Sequence, residues 1–136
     1  MTNAKCFTGL VMLLAMLPTQ AHHSVFAQFD LEKDLQMTGV LIKIEWLNPH
    51  GWLHFDIKQA DGKVARWALE TPPPAGWRRL GLASKGYFVA GQTFQSRGAP
   101  ARHAAENADA ILALLTELTF PDGRKVSVLG AQTATP

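Results

Sequence analysis

From Thr38 onward the apolar residues recur with a period of two. Val40, Ile42, Ile44 and Trp46 fall on one face, with Lys43 and Glu45 on the other. Successive side chains point to opposite faces of a strand, so this pattern predicts a half-buried strand. Asn48-Pro49 ends it, because proline cannot donate to a ladder and restricts the residue before it. A second strand is predicted over residues 52–58, where Leu53, Phe55 and Ile57 alternate with Trp52, His54, Asp56 and Lys58. Asp61-Gly62 signals a hairpin, since glycine supplies the positive φ of a tight turn. A third strand over residues 64–69 then places Ala65, Trp67 and Leu69 opposite Val64 and Arg66, completing a meander.

Thr71-Pro72-Pro73-Pro74-Ala75-Gly76 is a stiff loop, and residues 77–82 have the composition for one or two helical turns. Gly91 opens a fourth strand at about 92–97. The Ala-rich stretch 99–107 is ambiguous, and 110–120 fits helix or strand by pattern. We read 110–120 as a strand because Pro121-Asp122-Gly123-Arg124 resembles a hairpin turn into 125–129. Residues 130–136 read as a disordered tail. The sequence thus predicts a mainly all-β protein, a small five- to six-stranded OB-like barrel with one short helix after the third strand. A β-sandwich is the alternative.

The first residues follow a different logic. Lys5 precedes an apolar run from Cys6 to Leu17, followed by Pro18 and Thr19-Gln20-Ala21. A charged start, a short apolar run and small residues at a cleavage point describe a secretory signal. A membrane-spanning helix needs about 20 apolar residues. The expected organisation is a signal peptide at 1–21, cleaved after Ala21, a single barrel domain at 22–129 and the tail. Localisation is then periplasmic or secreted, with no membrane span after cleavage. His22 to Leu35 reads as an irregular leader that Phe26 and Phe29 could pin to a surface.

Cleavage changes the composition that matters. Removing 21 of the 136 residues leaves 115 and carries away the single cysteine and three of the four methionines. Thiolate and Met-rich metal sites are thereby excluded. The net charge falls from +2 to +1 with loss of Lys5, too little for a nucleic-acid partner. The 47% hydrophobic content fits a packed domain.

All five histidines survive, and two open the mature chain as His22-His23-Ser24. An N-terminal histidine offers its α-amino nitrogen and ring Nδ1 to one metal, and both lose protons near neutral pH. Nitrogen ligands in tetragonal geometry favour Cu(II). His50, at a strand end between Trp46 and Trp52, is the expected third nitrogen, with His23 or His54 as accessory ligands. Trp46 and Trp67 sit at alternating strand positions expected to fill the core. Asn48, Trp52, Trp77, Arg78 and Arg79 are candidates for a rim that docks a ligand or partner by stacking and by guanidinium–anion pairing. No nucleophile elbow, phosphate loop or zinc helix is present, and nothing in the sequence argues for turnover.

Several segments together resemble a known family. They are Ala21-His22-His23-Ser24, Phe29-Asp30, Thr38-Gly39-Val40, Glu45-Trp46-x-Asn48-Pro49-His50-x-Trp52, Asp61-Gly62-Lys63 and Pro121-Asp122-Gly123-Arg124-Lys125-Val126. They resemble domain-of-unknown-function family 6152, small exported bacterial proteins. Residues 74–79 follow it loosely, and the stretch 102–110 is longer than the family leads one to expect. The resemblance implies export and a compact β domain, and it points to His22, His23, Asn48 and His50 without giving them a role. The expected function is a periplasmic binding module holding a copper ion. The alternative is an interaction module docking an envelope protein or glycan through its Trp-bearing rim.

Overall fold

The computed structural model describes residues 25–82, 86–103 and 109–130. The predicted signal peptide, His22, His23 and residues 131–136 of the tail lie outside the described residues. Six strands follow in chain order: β1 (Leu35–Glu45), β2 (Gly51–Lys58), β3 (Val64–Thr71), β4 (Thr93–Pro100), β5 (Ile111–Thr119) and β6 (Lys125–Ser127). A short helix α1 (Val25–Gln28) precedes them, and α2 (Pro74–Arg79) lies between β3 and β4.

The sheet order is β3-β2-β1-β4-β5-β6, and an additional parallel pairing of β3 with β5 closes five strands into a barrel. This is a small OB-like barrel with one extra strand. Closure removes the open edges that a sandwich would leave.

Two hairpins share one turn. In each, an Asp-Gly pair ends a three-residue loop, with Gly62 and Gly123 at φ 85. Gly62 N donates to Gln59 O and Gly123 N to Phe120 O, both at 2.9 Å. The Asp61 and Asp122 carboxylates accept from the amides of Lys63 and Arg124. Only glycine holds this left-handed position without strain.

The sequence pattern misassigns the inward face of β1. Met37, Gly39 and Leu41 are buried, whereas Val40 and Ile42 are exposed. The cause is a register shift between Leu41 and Lys43 in the pairing with β2. An inserted residue reverses which side chains face inward, so Ile44 returns to the core after the bulge. β2 alternates as expected, whereas β5 buries Ala113, Leu114 and Leu115 in a row beside a second register shift at Arg97/Gly98. Leu41, Leu53, Phe55, Leu69, Phe94, Leu115 and Leu118 fill the barrel.

Two further expectations are corrected. Trp77 is not on the rim: α2 buries this indole in the barrel core, where it donates from Nε1 to Thr71 Oγ1 at 3.3 Å. Pro74 suits the first turn of α2 because its missing N–H has no intrahelical acceptor there. Trp46, expected in the core, is instead exposed at the end of β1. In the leader, Phe29 is buried and pins the chain, while Phe26 faces solvent.

Candidate functional site

The outer barrel surface is fixed by the core on its other side. Because Leu53, Phe55 and Leu69 point inward, Trp52, His54 and Glu70 point outward. The hairpin register sets Trp52 opposite Glu70 and His54 opposite Ala68. Across the remaining pairings, Glu45, Trp52, Glu70, Leu114 and Ala99 form one lateral row over five strands.

Glu70 is the centre of this row. His50, in the loop between β1 and β2, brings its Nδ1 to 2.9 Å from Glu70 Oε1. The carboxylate side chain is only 5% exposed, whereas the imidazole is 42% exposed. Burial pushes the Glu70 carboxyl above its ordinary value, and the facing His50 works against that rise. With Nδ1 engaged by the carboxylate, Nε2 is the nitrogen left for a ligand. A buried acid that orients a half-exposed imidazole is an arrangement that supports metal-ligating histidines.

The loop reaches this position because Gly51 lies hard against the end of β3. A Cβ there would sit 2.8 Å from Thr71 Oγ1 and 3.1 Å from Pro72 O. The same Thr71 receives the Trp77 bond, so the packing under His50 is continuous with that of α2.

His54 lies on the same face but is engaged differently. Its Nε2 is shielded from solvent and 3.3 Å from Glu45 Oε2, and Glu45 also pairs with Lys43. Lys43 first, and His54 after it, hold the Glu45 carboxyl below the usual carboxylate range. No group of three or more His, Cys, Asp or Glu suited to a metal occurs among the described residues. His50 and His54 therefore do not form a common site by themselves. Asn48 is exposed in the same loop, and Arg78 and Arg79 are exposed on α2.

Leu114, next to Glu70 in the row, belongs to a second apolar cluster with Phe29 and Ala99, against which Val25, Leu31 and Leu129 pack. Phe29 pairs with Ala101 in an isolated bridge, and Asp30 N donates to Pro100 O. The leader is thus anchored one strand away from Glu70. Neighbouring strands are about 4.8 Å apart.

Sequence reasoning did not single out Glu70. The signal was present, because counting back from the Asp61-Gly62 turn puts Glu70 opposite Trp52 and on the polar face. A charged residue there, followed at once by a proline run, marks a position that the loops at the barrel end can cover.

Residues 11–109 match a family described only as of unknown function, DUF6152. The chain belongs to this family. No curated protein and no solved structure matches it. The DUF6152 match takes in the 46–50 loop, β2, β3 and α2, and so covers both His50 and Glu70.

Proposed function

We propose that this DUF6152 protein is an exported binding module that holds a metal ion at the outer face of its barrel, with copper favoured. His50 Nε2 is one ligand, positioned by Glu70 behind it. After cleavage at Ala21, the amine and ring of His22 supply two more nitrogens, with His23 as an accessory. The observation that carries the reading is the 2.9 Å contact between His50 Nδ1 and the buried Glu70 carboxylate.

The leader supports the same reading. Val25 packs in the cluster around Leu114, which is the register neighbour of Glu70. Residues 22–24 can extend at most about 10 Å from there, at ~3.3–3.6 Å per residue. That reach exceeds the one strand spacing of about 4.8 Å between Leu114 and Glu70. A nitrogen-only set of this kind suits Cu(II), and Glu70 would fix the ring and raise its basicity.

The test compares Cu(II) affinity of protein beginning at His22 with protein carrying one extra residue before it. Blocking the amine is expected to weaken binding by at least tenfold. Glu70→Gln should weaken it by about 10–100-fold, the usual effect of losing an orienting carboxylate. Equal affinity for both N-termini would sink the His22 assignment. Intact mass and metal analysis of the exported protein fix its first residue and any bound ion together.

A further inference from the structure

The barrel end next to His50 carries a feature that metal binding does not use. Trp46 and Leu47 are 45% and 51% exposed, and Val89 is 43% exposed. They belong to two separate segments that converge. Trp46 meets the edge of Phe88 at 5.5 Å and of Trp77 at 6.5 Å, and Phe88 meets Trp77 at 5.0 Å. The buried Trp77 and half-buried Phe88 thus form a base beneath an exposed apolar tip.

Charge follows the ring base directly in sequence. Arg78 and Arg79 follow Trp77 in the last turn of α2 and are both exposed. The other described arginines are engaged: Arg66 with Asp56, Arg97 with Asp34, Arg102 with Asp30, and Arg124 over the rings of Tyr87 and Phe120. Among the described residues, Arg78 and Arg79 have no acidic partner.

We infer that this barrel end docks peripherally on an anionic lipid surface, with Trp46, Leu47 and Val89 entering the headgroup region and Arg78 and Arg79 over the lipid charge. Tryptophan favours the water–hydrocarbon interface because one part of its ring system is apolar and the other polar. Leucine and valine contribute by burial, and each arginine near an anionic surface strengthens binding severalfold. Other occupants fit less well. A stable protein interface buries more than ~1,000 Å², far beyond three or four side chains. A sugar platform needs hydrogen-bonding groups around the ring, and the exposed neighbours here include two aliphatic side chains. The inference stands apart from the metal reading, since none of these residues is a proposed ligand.

The test uses mature protein and vesicles of 30% phosphatidylglycerol in phosphatidylcholine, with pure phosphatidylcholine as control. Binding is followed by co-sedimentation and by the blue shift of tryptophan emission. The protein should sediment with the anionic vesicles and stay in solution with the neutral ones. Removing both charges, as in Arg78→Gln with Arg79→Gln, should weaken binding about 25-fold, roughly fivefold per charge. Leu47→Ser, which leaves the ring contacts intact, should weaken it at least threefold, and Trp46→Phe should reduce the blue shift. Val64→Ser, at the far end of the barrel, should change neither readout. The inference is overturned if the protein stays in solution with anionic vesicles, if the double arginine variant binds like wild type, or if Val64→Ser has the same effect as Leu47→Ser.

Discussion

Replacing His50 with alanine tests the physical heart of the site without any metal. The imidazole faces a buried carboxylate at 2.9 Å, and hydrogen bonds to charged groups contribute about 1.5–3 kcal/mol. His50 is 42% exposed, so solvent screening lowers this to about 1 kcal/mol. For a domain of this size that is a fall in Tm of about 4 °C. The loss depends on pH with a definite sign. Burial raises the Glu70 carboxyl above 4.5 and His50 opposes the rise. A carboxyl raised on folding contributes stability that is complete below 4.5 and is lost as pH rises through the folded value. Without His50 the rise is larger, so the deficit of His50→Ala is smaller at pH 4 than at pH 7.5. Thermal melts in chelator-treated buffer at the two pH values measure this. In a Glu70→Gln background the deficit should largely vanish, as a double-mutant cycle would report. Equal melting of His50→Ala and wild type at pH 7.5, or the same deficit at both pH values, would refute the reasoning.

Other outcomes follow from packing. Leu41→Ala should cost about 2–5 kcal/mol in chemical denaturation, and Ile42→Ala no more than ~0.5 kcal/mol, because only Leu41 points inward. The reverse order would place the bulge elsewhere. Gly98→Ala should destabilise by about 1–3 kcal/mol or more, since a Cβ there would collide with the backbone carbonyl oxygen of Leu114. Trp77→Phe loses the bond to Thr71, whereas Trp67→Phe removes a buried Nε1 that has no partner. Trp77→Phe should therefore be the more destabilising of the two by ~1 kcal/mol in urea melts.

The strands and turns were legible because each rested on local chemistry. Alternation marked β2 and β3, two Asp-Gly turns marked their hairpins, and the second turn correctly decided 110–120 in favour of a strand. The inward face of β1 was not legible, because Val40 and Ile42 are as apolar as Met37 and Leu41. Only the pairing with β2 reveals the bulge that separates them. Trp46 and Trp77 exchanged roles for a related reason. Each lies beside a loop, and burial there depends on where α2 lands, which periodicity does not encode. Of the site, His50 and Asn48 stood out at a turn, but the partner that gives His50 its meaning did not. Glu70 is adjacent only after β2 and β3 pair.

Barrel closure makes Glu70 more than a surface carboxylate. On an open sheet β3 would be an edge strand, and Glu70 would have a neighbour on one side only. The parallel pairing with β5 places Leu114 on the other side, and Leu114 is where the leader packs through Phe29 and Val25. One pairing thus buries the carboxylate, raises its proton affinity and seats the leader beside it through Phe29 and Val25. The same geometry explains why the leader is anchored before β1 begins. A segment is fixed only if its contacts outweigh the conformational freedom that each ordered residue gives up. Phe29 supplies that fixation for the described part of the leader, buried at 2% exposure and bridged to Ala101.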